Sequence, residues 1–390
     1  MSNPIIRYLV SSPHGDIPAD ENKWDLPLEG DTLKTSYRMY FHSIRGFLSQ
    51  DEFKPFISLI SQKLGKEVHL KKIHEIIIRT EKHGLLYHPA SIESILTNGK
   101  VKFGLNVAIS DMGRQWLKEE YDVLLKLHTK FDLPYLPMVY CLGELNSMSF
   151  LLEDWFEGYH EFHISKDNEG KQQLKLWDFD HGYKHLSQGQ SFEIYKKASK
   201  ILTLYYDLEK FSQIFPWHHA AGDFVVKIED EKNSPSPPFS KGGMEGFSGK
   251  TVDVRLTTAR RYESFMGFIE KNTLNPVLAL CYYLLDLTIR MRLDKVEGLG
   301  EVAWADDTCV KATLTGFFEA LKLKVDLKNY FNQAEDFLSL LQSFSQKELK
   351  NIFNPLIDHY RGTGDFPVIM SHRDEHTGEL YSTLQNLLLE

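Results

Sequence analysis

Imidazoles are the first candidates for chemistry in this chain. His160-Glu161-Phe162-His163 and Trp217-His218-His219 hold four of them in two short clusters. Histidine nitrogens suit a zinc ion, and a carboxylate such as Glu161 or Asp223 would then serve as base for a hydrolase. The spacing argues for a blander outcome. H-x-x-H is not the i, i+4 pair of H-E-x-x-H, and the sequence fixes no third ligand, so the competing expectation is a polar connecting segment whose histidines cap and hydrogen-bond. The three cysteines, Cys141, Cys281 and Cys309, are far apart and form no C-x-x-C pair, which predicts neither a disulfide framework nor a thiolate metal site. Neither G-x-S-x-G nor G-x-x-x-x-G-K-[ST] occurs. Acids remain: Asp223, closing the Trp217–Asp223 segment, and Asp253 stand 30 positions apart, each beside a β-rich stretch.

The elements that must position these groups follow from periodicity. Residues up to about 48 are polar and irregular, and Ser49-Gln50-Asp51-Glu52 reads as a capping box opening a helix that Gly65 stops. Ile73–Thr80, Leu85–Ile95 and Val101–Ser110 read as three strands of an antiparallel meander, with Asn98-Gly99 as the hairpin signal. A helix over Met112–Lys130 buries Trp116, Leu117, Tyr121, Leu124 and Leu125, with Glu120 on the same stripe. Extended segments at Leu136–Leu142 and Ser149–Asp154 complete a β-β-β-α-β-β order. The rest is mostly helical: Ser191 to about Lys210, a helix capped by Asn275-Pro276, and one opened by a capping box at Ser345. Residues 229–250 are rich in Ser, Pro and Gly and predict a disordered surface insertion without a catalytic role.

With 390 residues, 54 acidic and 45 basic side chains and 42% apolar residues, the chain has the composition of a globular protein of two or three units. A net charge of −9 opposes a surface that tracks nucleic-acid phosphates. The longest apolar run, Val277–Leu285, is ended by Asp286, and Arg7 interrupts the only apolar stretch near the N-terminus. The expectation is a cytoplasmic protein that engages neither nucleic acid nor membrane.

A meander with one helix, a short linker and a larger helical region resembles the plan of the protein-kinase-like superfamily, in the branch of aminoglycoside phosphotransferases and choline kinases. Val107-Ala108-Ile109-Ser110 matches the V-A-I-K strand except at its last position, and Glu120 sits where that fold has its buried helix glutamate. Phe150–Gly158 resembles the fifth strand and adenine-holding hinge, Trp217–Phe224 the catalytic loop, and Thr251–Val254 the strand bearing the metal-binding aspartate. The resemblance implies an α+β, two-lobed protein-kinase-like fold, with a small antiparallel β-sheet N-lobe and a larger helical C-lobe. Its boundaries are an N-terminal extension over 1–70, an N-lobe over 71–157 and a C-lobe over 158–390. It implies ATP or GTP with Mg²⁺, and a small hydroxylated acceptor. Asp223 would be the general base, His219 the support of its loop, and Asp253 the metal ligand. Glu120, Lys102, Glu153 and Trp155 would serve the nucleotide. Several positions depart from that pattern. Ser110 replaces the phosphate-gripping lysine, for which Arg79, Lys82 or Lys102 would have to substitute. Ile228 stands five after Asp223 in place of asparagine, and Ala221 stands two before it in place of histidine. These losses make a pseudokinase, binding a protein partner without catalysis, the alternative. His372-Arg373-Asp374, which mimics a kinase H-R-D triplet, is too near the C-terminus to be followed by a metal strand and reads as a decoy.

Overall fold

Period-two patterning builds the sheet of the first unit. The computed structural model describes residues 3–12, 15–81, 84, 86–167, 169–178, 182–230, 250–264 and 275–389, in an α+β arrangement. The chain divides into two compact units, Met1–Glu157 and Gly158–Glu390.

In chain order the first unit comprises β1 (Ile5–Val10), β2 (Ile17–Pro18), α1 (Tyr37–Leu48), α2 (Lys54–Leu64), β3 (Ile73–Thr80), β4 (Ala90–Leu96), β5 (Gly99–Ala108), α3 (Asp111–Lys130), β6 (Val139–Leu145) and β7 (Met148–Asp154). Its sheet runs β2-β1-β3-β4-β5-β7-β6. The meander β3-β4-β5 is antiparallel, as the alternation predicts, although β4 begins at Ala90 and residues 86–89 are not strand; Gly99 takes the positive φ of 117° that its turn requires. Val101, Phe103, Leu105 and Val107 of β5 enter one core with Tyr40, Phe41 and Ile44 of α1 and Phe56 and Ile60 of α2. Lys102 and Asn106 therefore point to the opposite face. Helix α3 starts at Asp111 because the Ser110 hydroxyl accepts the Gly113 N–H at 3.0 Å.

Two expectations fail at the N-terminal side. The stretch before residue 48 is not irregular: β1 pairs in parallel with β3 from Ile5/Glu75 to Val10/Thr80, and Ser36 caps α1. The sheet is consequently mixed, not purely antiparallel. β1 escapes sequence reading because it alternates weakly at a sheet margin, with Ile5 and Arg7 outward. Nor does Ser49 form a capping box. Asp51, Glu52 and Phe53 adopt φ of 45°, 54° and 65°, and α2 begins only at Lys54, with Pro55 in its first turn. Gly65, at φ 62°, ends it as expected.

The second unit comprises β8 (Phe162–Lys166), β9 (Gln172–Leu176), β10 (Lys184–His185), α4 (Gln188–Tyr205), β11 (Gln213–Phe215), β12 (Phe224–Asp230), β13 (Lys250–Leu256), β14 (Arg261–Glu263), α5 (Pro276–Arg292), β15 (Leu293–Lys295), β16 (Val302–Trp304), α6 (Thr308–Leu323), α7 (Ala334–Ser343), α8 (Gln346–His359) and α9 (Phe366–Asn386). The strands form a β10-β9-β8 sheet and three ribbons, β11-β14, β12-β13 and β15-β16. Helix α5 is buried along almost its whole length, Asp286 and Arg292 included, and Asn275 caps it by accepting the Leu278 N–H. The Ser345 capping box is present at α8. Helices α4 and α6 pack so closely that a Cβ on Gly316 would lie 1.9 Å from the Lys196 carbonyl oxygen. Most of the expected insertion, residues 231–249, lies outside the described residues, as does Lys82.

Candidate functional site

In the first unit the candidate residues sit on or beside the sheet face that carries Lys102. Glu120 on α3 is fully buried and accepts a hydrogen bond from the Tyr87 hydroxyl at 2.9 Å. Glu153, near the end of β7, is turned inward as well. The Asn106 amide donates to its Oε1 at 3.0 Å, while its Oε2 is buried without a hydrogen-bond partner among the described residues. Burial first, then the charges of Glu120 and Asp154, push this carboxyl well above the usual carboxylate range, so its neutral form is favoured. Lys102 lies with its Nζ 4.3 Å from the Trp155 ring centroid, and desolvation lowers its pKa. Arg79 is committed elsewhere, to Asp16 and Glu81, each at 2.6 Å. Ser110 is a helix cap, so the sequence spends that position on starting α3.

In the second unit the segment Trp217–Asp223 turns sharply from β11 into β12. Gly222 closes the turn at φ 69°, where a Cβ would lie 2.7 Å from Glu161 Oε1. Asp223 is 1% exposed, and its carboxylate accepts three hydrogen bonds. Arg260 grips it as a fork, Nη2 to Oδ1 at 2.8 Å and Nη1 to Oδ2 at 3.0 Å, and the His218 N–H donates to Oδ2 at 2.9 Å. His219 is enclosed by Phe162, Tyr195, Trp217 and Phe224, with ring centroids 5.3–5.8 Å away. Among the described residues neither of its nitrogens has a hydrogen-bond partner, and burial pulls its pKa down to about 4. It is a neutral ring inside an aromatic cage. Asp253 stands mid-strand in β13, opposite Lys227, where it accepts from the Tyr159 hydroxyl at 2.6 Å and from Arg255 Nη2 at 2.9 Å. The Lys227–Asp253 pair is three steps up the ladder from Phe224–Leu256, about 10 Å at the rise of a strand. The hairpin thus separates the two acids along its length.

The remaining histidines go to different partners. The His160 backbone pairs in both directions with Val226. His163 is buried between two carboxylates, Nδ1 at 3.3 Å from Asp294 Oδ1 and Nε2 at 3.4 Å from Glu161 Oε2. Burial opposes its charged form, but the hydrogen bonds to Asp294 and Glu161 outweigh it and raise the pKa to about 9. His163 is therefore an imidazolium at neutral pH. Among the described residues, no group of three or more His, Cys, Asp or Glu side chains is placed to hold a metal ion. Asp374, in the H-R-D look-alike, is exposed on α9 and pairs with Lys350 at 2.8 Å, while His372 stacks on Trp304.

Sequence reasoning missed Arg260 and Asp294. Each lies far along the chain from its partner, and no local pattern marks either one. Neither a protein-family model nor a curated protein matches the chain.

Proposed function

We propose that this chain is a protein-kinase-like protein of the pseudokinase type, acting by binding and not by phosphoryl transfer. The likeness is supported by the order within residues 73–154 of the first unit, a meander, one helix and two further strands, and by a loop leading into the β12-β13 hairpin in the second. The absence of catalysis rests on one observation: Asp223, the expected base, is buried and has both oxygens bound by Arg260 and the His218 N–H. A general base needs a free lone pair about 2.6–3.2 Å from the hydroxyl it deprotonates. This carboxylate is neutralised and enclosed before any acceptor arrives.

The residues do not fit a nucleotide with magnesium. Ser110 stands where a phosphate-gripping cation is needed, Asp253 is tied to Arg255 and Tyr159, and the Glu153 carboxyl favours its neutral form. A second reading, an ATP- or GTP-dependent phosphotransferase on a small hydroxylated acceptor, is favoured by the side chain of Asp253, which remains 43% exposed.

Calorimetric titration with ATP and with GTP, each with and without Mg²⁺, separates the two. The expected result is no magnesium-dependent heat up to millimolar nucleotide. Micromolar, magnesium-dependent binding that disappears in Asp253→Asn would establish the phosphotransferase reading instead.

A further inference from the structure

The two margins of the first unit's sheet are not alike. At one, β2 is only two residues long and ends in Pro18, whose nitrogen carries no hydrogen for a further strand. At the other, β6 runs for seven residues with one charge, Glu144, and no lysine or proline to guard it. Its bulge lies at the start, between Val139 and Cys141, which leaves residues 141–145 in unbroken register with β7. Asn146 and Ser147 close the hairpin at φ of 51° and 63°, the signs a two-residue I′ turn needs, so Leu145 and Met148 form a hydrogen-bonded pair. Such pairs alternate along an antiparallel ladder. Gly143 therefore bonds inward, while Leu142 and Glu144 turn N–H and C=O to the open margin. Among the described residues no backbone hydrogen bond meets them there.

These groups call for an extended strand, and β6 itself has the complementary chemistry. Leu142 pairs with Leu151 and Glu144 with Ser149, so both side chains lie opposite the face that carries Phe150 into the core. Two copies related by a twofold axis through Leu142 would exchange N–H···O=C bonds between the two Leu142 residues and set each Glu144 opposite the second copy's Tyr140. The leucine Cβ atoms then stand about 4.5–5.5 Å apart, and the carboxylates are kept from each other. A register about Gly143 would oppose Leu142 to a carboxylate, and one about Glu144 would set two carboxylates face to face. Met138, at the entry to the strand, and Leu125 on α3 add exposed apolar surface, and His128, one turn after Leu125, holds the Pro137 carbonyl at 2.8 Å.

We propose that β6 pairs antiparallel with β6 of a second copy about Leu142, running the two sheets into one. The contact is one short strand and a few apolar side chains, well below the about 1,600 Å² of a standard stable interface, so the dimer is weak, with a Kd on the order of 10–100 μM. Sedimentation velocity of the full chain from about 1 to 500 μM should carry it from monomer to dimer. Glu144→Pro removes an outward N–H at an exposed position, where an edge strand tolerates proline. It should weaken the dimer about tenfold or more with the circular dichroism unchanged. Leu142→Lys sets two ammonium groups across the axis and should weaken it to a similar extent, about tenfold. Ile17→Lys, at the guarded margin, should leave it as it is. Should Leu142→Lys not fold, Glu144→Pro decides. A chain monomeric throughout, a dimer that survives Glu144→Pro, or one strengthened by Leu142→Lys would each overturn the assignment: the first leaves the margin to a different protein, the second places the contact elsewhere, and the third shifts the axis to Gly143. Nucleotide and metal are absent throughout, so these outcomes are independent of the reading of Asp223.

Discussion

The buried His163 imidazolium makes a pH dependence that can be worked out and refuted. Its pKa is about 9 in the folded chain against 6.5 for an ordinary histidine. At 1.36 kcal/mol per unit the difference corresponds to about 3 kcal/mol. The folded pKa is the higher one, so this stability is fully present below pH 6.5 and is lost as the pH rises through 9. His219 and His376 have the opposite sign: burial lowers them to about 4 and about 3, so their contribution is lost as the pH falls below 6.5. The two windows do not overlap. Glu153, whose raised carboxyl pKa weakens the fold as the pH rises above 4.5, does act in the same direction as His163. The comparison must therefore be with His163→Gln. Urea denaturation at several pH values between 6.5 and 9 should show the parent losing about 3 kcal/mol more than the variant across that range. Equal slopes would refute the reasoning. Should the variant not fold, an NMR titration of the His163 ring in the parent settles the matter, and a midpoint at or below 6.5 refutes it equally.

Three further perturbations test the architecture. Arg260→Met leaves the Asp223 carboxylate buried and unpaired and should cost about 3–5 kcal/mol, with a large part recovered in the double variant with Asp223→Asn, as read by thermal denaturation. Glu153→Gln removes a buried acid that favours its proton, so the variant should melt above the parent at pH 7–8, with the gain vanishing toward pH 4.5. Gly316→Ala places a methyl 1.9 Å from the Lys196 carbonyl oxygen, where backbone must move, and about 1–3 kcal/mol of stability should be lost in urea denaturation.

What the sequence disclosed and what it hid divide along the range of the interactions. The meander β3-β4-β5, helix α3 with Leu117, Glu120 and Leu124 on its buried stripe, and the caps at Asn275 and Ser345 depend on neighbours a few residues apart, and local pattern finds them, although Leu125, expected in that stripe, is exposed. The pairing of β1 with β3 and the small β8-β9-β10 sheet depend on partners that local pattern does not name. The Ser49 box failed for a different reason: three consecutive left-handed residues, Asp51 to Phe53, redirect the chain where its composition suits a helix start. In the candidate site, sequence placed Asp223 in a turn before a strand, correctly in outline. It said nothing of Arg260, 37 positions later, which decides whether that acid is a base or half of an ion pair. His219 was legible as a histidine beside Trp217, but its cage draws on Phe162 and Tyr195 from β8 and α4.

The parallel pairing of β1 with β3 also has a meaning in time. Ile5 must find Glu75 across 70 intervening steps of chain, so β1 leaves the ribosome long before its partner exists. At about 5–20 residues per second, that interval is roughly 4–14 s. During it, Ile6 and Tyr8 have no sheet to join, and the meander, whose contacts are local, can form first. β1 then docks onto an edge already made. Synthesis slowed within the α1-α2 region would lengthen the wait, and the nascent chain would spend longer with an unpaired strand available to chaperones or to other chains.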